Sequence, residues 1–296
     1  MTPFVKSPAN PIYGGPETGT LFDVYVVREN GRFRMDFSWR PKASLAVAFS
    51  DDGLSWTFPA VTLGPDESTG WEDRLNRNCV IKVGDIYRMW YTGQARGYSF
   101  IGMAESADGL HFTRVGTEPV LISERHWEGM SVMNPCVLYE NGVYRMWYAA
   151  GETYEPNVLA YAESKDGVHW EKSKINPIFV CNKRNECERD RVGGCQVLPH
   201  PTLGYIMFYI GYKDINTACI CAAASKNGIT GWKRCKMNPL VSATPDTWDA
   251  DSCYKPSALY DEEKNQWRIW YNGRHGHDEF IGTASAEGDF TEDDFE

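Results

Sequence analysis

The chain of 296 residues carries 30 basic and 40 acidic side chains, a net charge of −10, with 42% hydrophobic and 14% aromatic residues. This composition supports a sizeable globular core. It offers no basic stripe to neutralise nucleic-acid phosphates and no apolar run long enough to span a membrane. Met1 to Tyr13 lacks the apolar centre of a secretory signal. The nine cysteines are an odd number without a paired CxxC; Cys79, Cys136, Cys195, Cys219, Cys221 and Cys253, in or beside predicted strands, read as small buried thiols of a reducing, cytoplasmic compartment. Cys181, Cys187 and Cys195 are too widely spaced for a zinc knuckle, so no metal and no cofactor is expected.

In chain order, Phe4 is followed six residues later by Asn10-Pro11-Ile12. Asp23 opens the apolar run Val24–Val27, then comes the strand Arg34-Met35-Asp36-Phe37, the turn Asp51-Asp52-Gly53 and Trp56. The same order returns at Arg88-Met89-Trp90-Tyr91, Arg145-Met146-Trp147-Tyr148, Ile206-Met207-Phe208-Tyr209 and Arg268-Ile269-Trp270-Tyr271, a period of roughly 57 residues. Further Asp-Gly or Asn-Gly turns at Asp108-Gly109, Asp166-Gly167 and Asn227-Gly228 tolerate positive φ and mark hairpins. Each copy therefore reads as four antiparallel strands. Such a sheet cannot bury both faces alone, so the copies must stack radially. The last copy lacks an outer strand, and Trp170 and Trp232 precede Asn176-Pro177-Ile178 and Asn238-Pro239-Leu240 as Phe4 precedes Asn10. The expectation is an all-β, five-bladed β-propeller over residues 1–296, a single domain whose last blade is closed by the N-terminal strand.

Function concentrates in the longer loops on one face. These hold Trp39-Arg40-Pro41-Lys42, Gln94 to Tyr98, Glu152 to Pro156 and Arg274-His275, with Trp71-Glu72-Asp73 and Trp248 to Asp251 between blades. The residue opening each innermost strand faces the centre: Asp23, Arg77, Asn134, Gly194 and Lys255. Equivalent core positions would carry similar residues; these differ in charge, as a single site would require. A ring of ion pairs holding the blades together is the other reading.

Asp23-Val24-Tyr25-Val26-Val27 through Phe33-Arg34-Met35, with the Ser-x-Asp-Gly-x-x-Trp turn of Ser164 to Trp170, resembles the five-bladed propeller glycosidases. These include glycoside hydrolase families 32, 43, 62, 68 and 117 and phosphorylase family 130. The chain departs from family 43, which opens its second and third blades with Asp and Glu where Arg77 and Asn134 stand, and it lacks the family 32 nucleophile signature. The resemblance thus implies Asp23 as base or nucleophile; glycoside chemistry adds an acid, for which Glu152 or Glu155 on the third blade would serve, Glu152 being the better anchored because it follows Gly151 near the strand end. Asp73 and Asp251 would orient the sugar or tune the acid, or else hydrogen-bond between blades. Trp39, Arg40, Lys42, Trp71, Arg77, Gln94, Asn134, Lys255, Arg274 and His275 complete the expected binding set. The leading reading is a hydrolase of a small saccharide, in the line of a furanoside. The alternatives are a family 130-like phosphorylase, with Arg and Lys holding phosphate, and a non-catalytic sugar-binding propeller. The same cations would suit an acidic sugar.

Overall fold

The structure is a computed structural model and describes residues 1–152 and 154–296. Strand β1 (Val5–Lys6) is followed by β2 (Leu21–Glu29), β3 (Arg32–Trp39), β4 (Ser44–Ser50) and β5 (Ala60–Leu63). Next come β6 (Arg74–Val83), β7 (Ile86–Ala95), β8 (Tyr98–Ser106) and β9 (Thr113–Arg114). Then follow β10 (Ser131–Glu140), β11 (Val143–Gly151), β12 (Pro156–Ser164), β13 (Trp170–Lys172) and β14 (Phe179–Val180). The chain continues through β15 (Arg191–His200), β16 (Gly204–Asp214), β17 (Thr217–Ser225) and β18 (Lys233–Arg234). It ends with β19 (Ser252–Asp261), β20 (Gln266–His275) and β21 (Asp278–Glu287). The described residues contain no α-helix, and none of their helices is long and apolar enough to cross a membrane.

These strands form three four-stranded sheets, β2-β3-β4-β5, β15-β16-β17-β18 and β1-β21-β20-β19, and one nine-stranded sheet holding β6 to β14. The large sheet is two antiparallel runs joined through one parallel pair, Ser131 beside Ser99. This departs from fully separate repeats: the β7–β8 turn ends so close to the start of β10 that the backbones bridge. The first strands of the runs neighbour one another in a cycle, β2 with β6, β6 with β10, β10 with β15, β15 with β19, and β19 with β2.

The repeat pattern explains the packing between runs. Trp90, Trp147 and Trp270 are fully buried, and each indole donates to a turn carbonyl of the next run: Gly167, Gly228 and Gly53, at 2.8, 2.7 and 2.9 Å. The first run carries Asp36 at that position. It holds Arg34 at 2.7 Å, and Arg34 Nη2 donates to the Gly109 carbonyl at 2.7 Å instead. The turns form as the sequence predicts. Asp52, Asp108, Asp166 and Asn227 each accept from two backbone N–H groups ahead of them, while Gly53, Gly109, Gly167 and Gly228 take φ between 74° and 84°.

A second repeated device was not expected. Glu72, Glu128, Glu188 and Asp249, all fully buried, accept from the hydroxyls of Tyr91, Tyr148, Tyr209 and Tyr271 at 2.8–3.0 Å. Each carboxylate also meets one cation: Arg114, Lys172, Arg234 or Lys6. The first three cations sit on β9, β13 and β18; the fourth sits on the N-terminal strand β1, which pairs antiparallel with β21 through Val5–Ser285 and Lys6–Ala284. Asn10 likewise exchanges two hydrogen bonds with Thr283, as Asn176 does with Tyr161 and Asn238 with Ala222. The N-terminus is thus the outer strand of the last run. Lys6→Met, which orphans the Asp249 carboxylate, is expected to lower Tm by several degrees in calorimetry; an unchanged Tm would mean that β1 adds nothing to stability.

Candidate active site

The five residues expected to open the innermost strands share one backbone device. The register of each first strand slips by one residue at Asp23, Arg77, Asn134, Gly194 and Lys255. Asp23, Arg77, Asn134 and Lys255 take φ of 64°, 28°, 56° and 53°, in the left-handed region disfavoured for side chains other than Gly and Asn. A bulge of this kind turns the side chain out of the sheet pleat and stores about 1–3 kcal/mol of local strain. Four such bulges turn four side chains out of the pleat at equivalent positions of their runs. Lys255 Nζ lies 2.8 Å from Asp23 Oδ1. Arg77 N donates to Asp23 Oδ2 at 3.2 Å, and Arg77 Nη2 to the carbonyl of Cys195 at 3.2 Å. A Cβ added to Gly194 would meet Asn134 Nδ2 at 2.7 Å, so glycine is what lets Asn134 reach that far.

Asp23 is 1% exposed. Ser38 Oγ donates to its Oδ2 at 2.8 Å, and Asn272 Oδ1 accepts from its backbone N–H at 2.8 Å. Burial by itself drives this carboxyl upward; the cations Lys255 and Arg77, with hydrogen bonds from Lys255 and Ser38, outweigh it and hold the group below the usual carboxylate range. The Lys255 ammonium also lies over the Phe22 and Tyr254 rings, at 4.7 and 5.3 Å. Arg77 is 3% exposed, and its Nη1 is buried with no partner among the described residues.

Of the two candidate acids, the structure separates the environments. Glu152 is exposed and forms a surface ion pair with Arg191 at 3.0 Å. Glu155 is half-buried and accepts from the buried hydroxyl of Tyr212 at 2.6 Å. Burial raises the Glu155 carboxyl above its ordinary range, against the opposing Tyr212 hydrogen bond and the charges of Lys255, Arg274 and Arg191. Lys255 therefore acts electrostatically on both Asp23 and Glu155, pulling each downward, and only Asp23 yields. Thr153, close to both glutamates in sequence, lies outside the described residues.

Beside Asp23 a cleft of about 390 Å³ is lined by Phe22, Ser38, Trp39, Arg40, Arg74 and Asn76. Arg40 packs on the Phe22 ring and donates to Glu279 Oε1 at 3.2 Å. Gln94 bonds Asn76 and donates to Ser99 at 2.9 Å. Arg274 Nη2 donates to the Asn216 carbonyl at 2.6 Å. Sequence reading did not single out Ser38, Tyr212, Tyr254 or Glu279; the alternation along β3 places Ser38 on the same side as Phe22 only once the bulge at Asp23 is known.

Several expected binding residues serve elsewhere. Trp71 lies against Gly93 and Gly102, stacked on Tyr91, and donates to the Thr117 carbonyl at 2.9 Å. Its ring is buried, so it offers no sugar platform. Trp39 borders the cleft, but it is buried with its indole donating to the Thr18 carbonyl at 2.8 Å. Asp251 accepts from Gly276 N at 2.7 Å and faces the exposed His275 at 3.6 Å, a turn-closing pair at the rim. The blade connections place Glu72 and Asp249, not Asp73 and Asp251, in the buried carboxylate clusters. Lys42 ends a one-turn helix and is exposed.

Comparison with known proteins agrees with this architecture. Residues 26–188 match the model of the glycosyl hydrolases family 32 N-terminal domain. The match begins just after Asp23. Rv1502, an uncharacterized protein of Mycobacterium tuberculosis (strain ATCC 25618 / H37Rv), is 25% identical over 282 residues, 91% of this chain and 89% of its own. A 1,2-beta-oligomannan phosphorylase of Thermoanaerobacter sp. (strain X514) is 31% identical over 141 residues, 42% of this chain and 44% of its own. Among solved structures, a thermostable family-43 glycoside hydrolase superposes with a TM-score of 0.69 at 17% identity, covering 93% of this chain and 91% of that one. A structure from work on family 130 mannoside phosphorylases and hydrolases gives 0.73 at 14%, covering 97% and 94%. These structural likenesses are likenesses of fold. The chain belongs to the glycosyl hydrolase family 32 N-terminal domain family, within the superfamily of glycosidase β-propellers.

Proposed function

We propose that the chain is a carbohydrate-active enzyme that cleaves a small saccharide in one axial site, with Asp23 as base or nucleophile and Glu155 as proton donor. Residues 1–296 then form one domain, and the five antiparallel runs are five blades of a ring. The cycle of first strands and the link from Trp270 to Gly53, from the last run to the first, support that reading. Nine free cysteines suit a reducing, cytoplasmic setting.

The observation that carries the chemistry is the divergence of two carboxyl groups under one lysine. Glycoside cleavage needs an ionised carboxylate and a protonated acid on either side of the bond. Pairs whose environments push their pKa values apart supply these two states together. Asp23 is held down and Glu155 is held up. As the leaving oxygen gains charge, Glu155 transfers its proton. Lys255 and Arg77 keep Asp23 ionised until it attacks the anomeric carbon or takes a proton from water. Glu155→Gln is expected to lower turnover on poor leaving groups by about 10² or more and to spare aryl glycosides with good ones. Glu152→Gln should stay near wild type. Reversal of the two phenotypes would move the acid to Glu152.

A second reading has an observation of its own. Arg77 holds an unpartnered buried nitrogen, it and Lys255 both act electrostatically on Asp23, and the resemblance to the oligomannan phosphorylase covers part of the chain. A phosphate oxygen would satisfy that nitrogen, and the same cations would suit an acidic sugar. Turnover of an aryl glycoside panel with and without inorganic phosphate distinguishes them. Sugar 1-phosphate as the product makes the enzyme a phosphorylase; free sugar at full rate without phosphate makes it a hydrolase.

A further inference from the structure

We infer that Cys187, Cys219 and Cys221 form a three-thiolate site for one thiophilic d¹⁰ cation, zinc(II) or a congener, at the edge of the sheet β15-β16-β17-β18. Reading by spacing found no metal motif here, because the partners of Cys187 lie more than thirty residues away in sequence. The fold brings them together. Cys187 Sγ is 3.6 Å from Cys221 Sγ, Cys221 Sγ is 3.8 Å from Cys219 Sγ, and all three lie within 4.8 Å of one another. A tetrahedral centre with metal–sulfur bonds of about 2.3 Å has sulfur–sulfur edges of about 3.8 Å; two of the three edges here match that length, and the third lies within 4.8 Å.

The site is built into its surroundings. Cys219 and Cys221 alternate on β17 and so present both sulfurs on one side of the strand. Cys187 comes from the one-turn 3-10 helix Glu186–Glu188, which is capped by Asn185. Its neighbour Glu188 is pinned by Tyr209 and Arg234. Gly211 beneath has no room for a side chain: a Cβ there would meet the Cys187 carbonyl at 2.7 Å and Cys221 Sγ at 3.2 Å. A cleft of about 450 Å³ opens over Cys187 and Cys219, which leaves a fourth position for water. Three sulfurs select a soft cation over magnesium or calcium. A Cys219–Cys221 disulfide is disfavoured, since residues two apart on a strand stand about 6.6 Å apart, near the upper limit of disulfide span. On binding, each thiol that is still protonated releases its proton to solvent as its sulfur bonds the metal. The bound ion would rivet the connection before β15 to β17.

The test is a cadmium(II) titration of the reduced full chain, followed by thiolate-to-metal absorption in the ultraviolet, beside zinc content measured by mass spectrometry. One equivalent is expected to bind, with an absorbance that corresponds to three thiolates and a rise in Tm. Cys187→Ser should weaken binding by about tenfold or more and abolish the Tm rise, whereas Cys181→Ser should change neither. Cys187 is half-buried on a surface helix, so its serine variant should fold; circular dichroism checks this, and Cys219→Ser provides a second ligand deletion. Stoichiometric uptake that survives both deletions would overturn the site, as would no uptake beyond that of Cys187→Ser.

Discussion

Asp23→Asn is expected to lower turnover by about 10² or more while leaving the fold intact. Asparagine matches the shape of aspartate and is among the residues that best tolerate the left-handed backbone found at this position, φ 64°. Its side chain still reaches the Ser38 hydroxyl and the Arg77 N–H, so the bulge should survive. What disappears is the negative charge that Lys255 and Arg77 enclose. An amide is a poor nucleophile and a poor base, and it leaves Lys255 without its carboxylate partner. Binding of a neutral sugar should change less than kcat. Asp23→Ala makes the contrast: it removes the charge as well, but strains the bulge, and should cost stability in addition. Wild-type turnover for Asp23→Asn would remove the assignment of Asp23 as base or nucleophile.

The second large effect concerns stability. Glu128→Ala is expected to destabilise the protein by about 3–5 kcal/mol, the usual cost of orphaning a buried charge. Glu128 is fully buried and accepts from Tyr148, from Lys172 and from the N–H groups of Glu124 and Arg125. Its removal leaves Lys172, itself 5% exposed in its side chain, with only the exposed Glu124 carboxylate and the Ile122 carbonyl as partners. Urea unfolding should show a lower midpoint with the same slope. The exposed Glu152–Arg191 pair is the control, since Glu152→Ala should cost no more than about 1 kcal/mol. Burial raises the Glu128 carboxyl, but Lys172 and the backbone N–H groups overcome this and hold it below its ordinary range. Its contribution is therefore present above the unfolded pKa and lost as pH falls through the folded one. Equal midpoints for the two variants would contradict the account of the clusters.

Much of the fold was legible because it repeats. Asp-Gly turns, Met-Trp-Tyr strands and the Asn-Pro match of residues 10–12 to residues 176–178 and 238–240 are each local patterns with a local physical cause. Glu72, Glu128, Glu188 and Asp249 were in view as loop residues, but nothing local says that they turn inward to a tyrosine on the second strand after them. Trp71 failed for the opposite reason: a tryptophan beside two acids in a connection looks exposed, and only Gly93 and Gly102 across the sheet show where its ring goes. The inward aim of Asp23, Arg77, Asn134 and Lys255 was readable from alignment of the repeats. The bulge that produces it was not, because one inserted residue leaves no signature beyond the polar side chain itself. Glu155 and Glu152 differ in burial through Tyr212, which lies on another run, and Cys187 meets Cys219 and Cys221 only after the sheet has formed.

The central claim is that Asp23 works ionised and Glu155 works protonated. The pH profile of kcat/KM on a responsive glycoside with a poor leaving group tests it most directly. Activity should fall on the acid side as Asp23, held low, takes up a proton, and on the alkaline side as Glu155, held high, loses one. In Glu155→Gln the residual activity should keep the acid limb and lose the alkaline limb. Persistence of the same alkaline limb in Glu155→Gln, or its loss in Glu152→Gln instead, would contradict the account.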